Sequence, residues 1–367
     1  MRTTISVIEG DGIGVDVCAA AVHITCQALK KVGVNKPNFQ KISAGAAYYL
    51  ENGVDIEPGG DEKAGKADAI FLGAIGLPNI RHKDGTEISP HLRLRDLYQL
   101  YAGVRPIKAY PNISSPLSHP KATEIDFVLI RESTEGLFYS AATHNRTSIQ
   151  PNQIFDETLR ISRRTSEKLH NFAFKLAASR KKQGKKGQLT CVDKANVFKS
   201  MAFFRKIFDE VATKYTEVEA SHEYVDAAAL KLVISPWQFD VMVTENMFGD
   251  ILSDLGGALV GGMGMAACGE LGDEIGLFQP AHGSAPDIID TDKANPLAAI
   301  LSAALMLDYL SEKFDSQPYK DAALIIERSI HSGFGSKRLR PIEFGQDMGT
   351  REITRELSNI IDSHETE

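Results

Sequence analysis

Cysteine is scarce in this sequence. Among 367 residues there are four, Cys18, Cys26, Cys191 and Cys268, and none stands in C-x-x-C spacing, so neither a zinc site nor a disulfide framework is expected. Positive charge is not in excess either: the formal net charge is -7, which argues against general affinity for nucleic acid. The one basic cluster, "RKKQGKK" at 180–186, reads as a solvated turn ahead of a strand. No apolar run reaches the length of a membrane span, and no basic and apolar leader precedes the strand-like "TTISVIEG". The expectation is a cytoplasmic protein with no membrane and no nucleic-acid partner. Repeats, low-complexity tracts and long linkers are missing as well.

What is present is an ordinary globular composition, 43% hydrophobic, in a chain long enough to bury a large core in two domains. Short apolar runs read as strands, several of them buried: "ISVIEG", "AIFLGAIG", "DFVLIRES", "QLTCVDKA" and "FDVMVTEN". Helical stretches follow most of them, at 14–31, 156–181, 196–212, 248–260 and 295–314. This alternation is an α/β pattern, and without a linker the chain is expected to cross between domains more than once.

Several stretches carry chemistry-bearing residues. "NMFGDILSDLGG" (246–257) sets Asp250 and Asp254 four apart, on one face of a helix, in an otherwise apolar run. For an isolated D-x-x-x-D a solvated face is the commoner meaning. "EGDGIGVDV" (9–17) is a glycine-punctuated turn from strand to helix, but its spacing is not the G-x-G-x-x-G dinucleotide fingerprint. "VDKANVF" (192–198) puts Lys194 at the end of an apolar strand, where a desolvated amine gives up its proton more easily and suits a general base. Arg95 and Arg105 stand ten apart in "LRLRDLYQLYAGVRP", and Arg131 ends the strand in "VLIRESTEG". Three guanidinium groups at element ends can clamp a di- or tricarboxylic acid. Asp226, in "HEYVDAAAL", is a third acid beside the Asp250 and Asp254 pair, and three carboxylates suit a hard divalent cation, Mg2+ or Mn2+. Finally "QPAHGSAPDIIDTDKANP" (279–296) is a Gly- and Pro-rich loop able to wrap an adenosine.

Taken together, "GDGIG", "LR" followed ten residues later by "VRP", "VDKANV", "YVDA" with "FGDILSD", and "HGSAPDI" with "ANP" resemble the isocitrate and isopropylmalate dehydrogenases, the metal-dependent β-decarboxylating dehydrogenases. The resemblance runs from the N-terminal glycine turn to at least residue 307. It implies a two-domain isopropylmalate dehydrogenase-like α/β fold, a large twisted sheet flanked by helices and not a Rossmann fold. Residues 1–99 with 257–367 would form a discontinuous NAD-binding domain, and 100–256 the substrate, metal and dimerisation domain.

The same resemblance implies roles. Arg95, Arg105 and Arg131 would hold the malate carboxylates. Asp250 and Asp254, with Asp226 of a second subunit, would ligate Mg2+ or Mn2+. Lys194, also from the partner subunit, would take the hydroxyl proton as hydride passes to the nicotinamide, which Asn196 approaches. His282, Gly283, Ser284, Ala285 and Asn295 would line the adenosine, and Asp287 with Ile288 resembles the NAD-using members, because a carboxylate there repels a 2'-phosphate. The functional unit would be a homodimer with shared active sites.

Two positions depart from the family. Phe138 stands where the family has its proton-donating tyrosine, and a phenyl ring carries no proton to give; Tyr139 is the neighbouring candidate, with water, another group or a stalled decarboxylation as alternatives. Ahead of Arg95 the chain has Ser89 and His91, which match neither the apolar pocket of isopropylmalate-type members nor the Ser and Asn of isocitrate-type members. Ser89 could also simply cap the helix that Pro90 begins. The expected reaction is oxidative decarboxylation of a 3-substituted (2R)-malate, 3-isopropylmalate first, with isocitrate, homoisocitrate, tartrate or D-malate as alternatives and a non-catalytic regulatory subunit as a further one.

Overall fold

The computed structural model describes residues 3–143, 154 and 156–363. Among the described residues ten strands make one sheet: β1 (Thr4–Gly10), β2 (Asn38–Lys41), β3 (Ala69–Ala74), β4 (Ala102–Lys108), β5 (Asp126–Glu132), β6 (Gln188–Asp193), β7 (Glu219–Tyr224), β8 (Val241–Thr244), β9 (Ala267–Leu271) and β10 (Gly276–Pro280). Their order across the sheet is β2-β1-β3-β10-β9-β4-β5-β8-β6-β7. The helices are α1 (Gly14–Lys31), α2 (Ala46–Asn52), α3 (Gly60–Gly65), α4 (Pro90–Leu97), α5 (Phe138–Thr143), α6 (Arg163–Lys182), α7 (Lys199–Ala212), α8 (Val225–Ile234), α9 (Asn246–Leu259), α10 (Leu297–Phe314), α11 (Gln317–Gly335) and α12 (Thr350–Ser363).

The sheet consists of two parallel blocks joined through antiparallel strands. β2, β1, β3 and β10 pair in parallel, as do β5, β8, β6 and β7, while β9 and β4 make the antiparallel joints. The blocks therefore run in opposite directions, an arrangement unlike a Rossmann sheet. Parallel blocks need helices on both faces, which explains the fully buried runs of β3 and β8. One core joins α1, α10, α11 and α12 to the first block, with buried side chains drawn from 5–29, 69–71, 110 and 265–361. A second packs α6 and α7 on the other block, and a third packs α8 and α9 on its opposite face.

Local sequence explains most elements. α1 covers the expected 14–31, and α9 and α10 lie within two residues of expectation. α6 begins at Arg163 instead of 156, because Ser162 accepts a hydrogen bond from Thr165 N and caps it there. The basic cluster at 180–186 is not simply solvated: Arg180 binds Asp240 at 2.7 Å and Asp126 at 3.0 Å, tying the end of α6 beneath the sheet. Strand β7 reads as polar at nearly every position and is exposed, so hydrophobic patterning does not reveal it.

The glycine turn after β1 earns its composition from packing. Gly12 has φ +58, and a Cβ there would run into the backbone oxygen of Ser284. That oxygen accepts from Ile13 N at 2.9 Å, and Ser284 Oγ donates to Gly76 O. The turn thus seats the 282–288 loop directly against the start of α1.

Candidate active site

Strand register gathers the arginines. Gly103 of β4 lies opposite Arg131 of β5 on one side and Glu270 of β9 on the other. Side chains two apart share a face, so Arg105, Arg131 and Glu270 project together, and Arg95 reaches them from α4. Arg95 Nη2 and Arg105 Nη2 contact the same oxygen, Glu270 Oε1, at 3.0 and 3.1 Å. A side chain at Gly103 would collide with this arrangement: a Cβ would sit 2.9 Å from Glu270 Oε2 and 2.7 Å from Ser133 Oγ.

The centre is desolvated. Arg95 and Arg105 are each 6% exposed, Arg131 2% and Glu270 0%. Burial alone would push the Glu270 carboxyl up, but Arg95, Arg105 and Arg131 outweigh it and hold the group down at about 2. Arg131, buried and crowded by Arg95, falls to about 10. The positive charge is not fully used. Nε of Arg95 and Nε of Arg105 are buried with no hydrogen-bond partner among the described residues. Unpaired buried donors are costly, and these two guanidinium groups keep hydrogen-bonding capacity that an anion could fill.

Helix α9 closes one side of this centre. Glu245 caps it, accepting from Phe248 N at 2.8 Å. Asn246 Oδ1 accepts from Arg131 Nε at 2.9 Å, and Asn246 Nδ2 donates to Glu135 O at 2.9 Å, so this amide fixes the guanidinium plane. Gly249 permits the approach, because a Cβ there would lie 2.7 Å from the Arg131 side chain. Asp250 then pairs with Arg131, and Asp254 lies one turn on. Burial, followed by the like charge of Asp250, raises the Asp254 carboxyl, a burden that a bound cation would relieve.

Asp226 is elsewhere. It accepts from Lys194 Nζ at 2.7 Å, and among the described residues no three His, Cys, Asp or Glu side chains group so as to hold a metal ion. Lys194 follows β6 directly, Asp226 is in the first turn of α8, and Asn196 is exposed just beyond Lys194. The helix that carries Asp226 exposes apolar side chains, Leu230 at 59%, Val233 at 49% and Ile234 at 61%, and α9 exposes Ile251 at 62%.

At the start of α4, His91 lies beside Arg95, and its Nδ1 is buried without a partner among the described residues. Burial and then the Arg95 charge drive this imidazole down to about 3, so it is neutral. Ser89 stands at the N-cap but does not cap: its hydroxyl donates to Glu87 O at 3.2 Å. Residues 138–139 are not extended, since Phe138 opens α5. The Arg131 guanidinium lies 5.2 Å from the Phe138 ring centre, whereas the Tyr139 ring is covered by Arg160 at 4.4 Å.

The 282–288 loop brings the adenosine-side candidates together. His282 Nδ1 contacts Gly283 O at 2.9 Å, and its Nε2 is buried with no partner among the described residues. Ala285 is left-handed at φ 40, and Asp287 and Ile288 fall in the short turn that follows. Asn295 is committed on both sides, donating to Glu343 Oε2 at 2.8 Å and accepting from Leu297 N at 3.1 Å. Sequence reasoning missed Glu270, Asn246 and Glu343. A lone acid in "CGELGD" carries no local signal, whereas Asn246, next to the acid pair at the start of a helix, could have been weighed.

Comparison with known proteins agrees with this geometry. The family model described as "Isocitrate/isopropylmalate dehydrogenase" matches residues 4–357. A 3-isopropylmalate dehydrogenase of Carboxydothermus hydrogenoformans is 39% identical over 89% of this chain and 85% of its own. A 3-isopropylmalate/3-methylmalate dehydrogenase of Methanocaldococcus jannaschii is 38% identical over 97% of this chain and 98% of its own. Among solved structures, isocitrate dehydrogenase from Methylococcus capsulatus superposes with a TM-score of 0.83 at 31% identity, covering 98% of this chain and 99% of the other. The two-block sheet, the buried arginines and these likenesses lead to one conclusion: the chain belongs to the isocitrate/isopropylmalate dehydrogenase family.

Proposed function

We propose that this protein is an NAD-dependent, Mg2+- or Mn2+-dependent β-decarboxylating dehydrogenase acting on a 3-substituted (2R)-malate, with 3-isopropylmalate the first candidate. The observation that carries the reading is the buried arginine cluster with its two unpartnered Nε donors, a site for substrate carboxylates. The names of the two relatives above favour 3-isopropylmalate over other malates.

Each absent group has residues that fit it. Asp250 and Asp254 offer carboxylate oxygens on one helix face, the donor type Mg2+ and Mn2+ prefer, and burial together with the like charge of Asp250 raises the Asp254 carboxyl. The partnerless His282 Nε2 and the exposed Asp287 suit an adenosine without a 2'-phosphate. When bound, the cation supplies Lewis acidity and NAD accepts the hydride.

This chain's residues supply the rest. Arg95, Arg105 and Arg131 bind and orient the carboxylates, and Lys194 takes the proton from the substrate hydroxyl. Tyr139 is the phenol that would return a proton to C3, although Phe138 holds the position against Arg131 and Arg160 covers the Tyr139 ring. Unchanged turnover in Tyr139→Phe would remove that role. Asn196 approaches the nicotinamide, and Gly283, Ser284, Ala285, Ile288 and Asn295 line the adenosine side.

The same proposal includes a homodimer with shared sites. Its support is the separation of Asp226 from the other two acids and the apolar side chains that α8 exposes. The division into 1–99 with 257–367 and 100–256 draws support from the core under α6 and α7, whose buried side chains come from 102–243, while the core around α1 and α10 also takes in Tyr110 and the one under α8 and α9 also takes in Leu259 and Val260. One observation favours a second substrate: the neutral, partnerless His91 beside Arg95 suits a polar C3 substituent, as in isocitrate or homoisocitrate.

The test is NADH formation and CO2 release with NAD and Mg2+ across 3-isopropylmalate, isocitrate, homoisocitrate, tartrate and D-malate. Equal NADH and CO2 on one compound is the expected result. NADH without CO2 would limit the reaction to oxidation, and no product from any of them would defeat the reading.

A further inference from the structure

Asp193, the last residue of β6 and the one before Lys194, is a fully buried carboxylate. A buried charge is costly unless its oxygens are satisfied, and here they are. Asp193 Oδ1 accepts from Ala195 N at 2.8 Å, which closes the turn around Lys194. Both oxygens also receive Arg205 of α7, Nε to Oδ2 and Nη2 to Oδ1, each at 2.8 Å.

The other side of the same guanidinium covers Tyr224, 5.1 Å from its ring centre. Tyr224 is the register partner of Asp193 across the β6–β7 pair, and it stands at the N-cap position of α8, whose first turn carries Asp226. One planar group therefore spans the ends of two neighbouring strands. Lys194 stands one residue beyond the first contact and Asp226 two beyond the second. A lysine could neutralise Asp193 but could not provide a two-pronged fork and a flat face together.

We propose that Arg205 is a positioning residue for the Lys194–Asp226 pair: its fork on Asp193 and its face on Tyr224 set the separation at which the amine and the carboxylate stand. The inference rests on the reading of Lys194 and Asp226 given under Proposed function. The bland alternative is a brace that holds two strands together and affects stability alone.

The test uses Arg205→Lys in the full-length protein, which keeps a charge against Asp193, together with Tyr224→Leu, which removes the ring under the guanidinium and its hydroxyl and leaves the fork on Asp193. Crystal structures of both variants give the Lys194–Asp226 distance, now 2.7 Å. Steady-state kinetics give kcat and KM. The expected result is a pair opened beyond hydrogen-bond reach in Arg205→Lys, kcat lowered by roughly 10- to 100-fold, and KM for the hydroxy acid held within about threefold, since the arginine cluster is untouched. Tyr224→Leu is expected to shift both in the same direction by less. A closed pair in both variants, or wild-type kcat with only a lower melting temperature, would overturn the proposal. If the pair opens while Lys194→Met keeps full turnover, the reading of Lys194 fails and the placement of the pair by Arg205 stands.

Discussion

Two groups of paired charges in this molecule differ in almost every physical respect. Around Glu270 three arginines are at most 6% exposed and draw on α4, β4, β5 and β9 of a single chain. The Lys194 and Asp226 side chains are 24% and 69% exposed, at the ends of β6 and β7, and α8, which carries Asp226, exposes apolar side chains. A desolvated cluster holds itself together, because each charge removed leaves another unpaired. A surface pair of the second kind adds little to stability, so its place at the end of a buried strand is better explained by what it does.

Removing a charge from the first group should have the largest effect. Arg105→Ala is expected to lower kcat/KM by about three orders of magnitude and to destabilise the fold by about 3–5 kcal/mol, because Glu270 keeps only part of its neutralisation. Kinetics and denaturant unfolding measure the two losses. Asp226→Asn should separate them: turnover falls by roughly 100-fold while the midpoint of unfolding stays put. If both variants lost stability equally, the contrast between the groups would be wrong.

Acid unfolding sharpens the comparison further. The Glu270 carboxyl is lowered in the folded chain from an ordinary 4.5 to about 2. A depressed carboxyl contributes stability above its unfolded value and loses that contribution as pH falls toward the folded one. Stability should therefore decline between about pH 4.5 and 2, and Glu270→Gln should flatten that decline while costing stability at neutral pH.

Smaller effects come from the rim. His91→Leu is expected to shift the preference between isopropylmalate and isocitrate by about 10- to 100-fold toward the apolar substrate. Asp254→Asn should weaken Mn2+ binding yet stabilise the metal-free protein by about 0.2–0.5 kcal/mol, since it removes a like charge one helical turn from Asp250. Calorimetric titration and thermal unfolding check the two signs.

Much of this site was legible in the chain. Arg95 and Arg131 fall near element ends, as the sequence suggested, whereas Arg105 stands in the middle of β4 and reaches the cluster through that strand's register with β5 and β9; Asp250 with Asp254 shows its helical spacing directly. Phe138 was visible as a departure, but its contact with Arg131 was not. Glu270 was invisible, because its meaning arises from β9 pairing with β4, more than 160 residues away in sequence. The glycines of "GDGIG" could be read as a tight turn, while the reason for Gly12 is the Ser284 backbone that approaches it from the far end of the chain.

Residue spacing by itself determined the α/β alternation and the arginine and acid candidates, since those depend on local periodicity and on side-chain chemistry, and the motifs resembled a known family. Only the tertiary structure decided that the sheet has two opposed parallel blocks, that a buried glutamate sits among the arginines, and that Asp226 stands with Lys194 apart from Asp250 and Asp254. The physical reason is that strand pairing and desolvation join residues remote in sequence, and no local pattern records which remote partner will satisfy a buried charge.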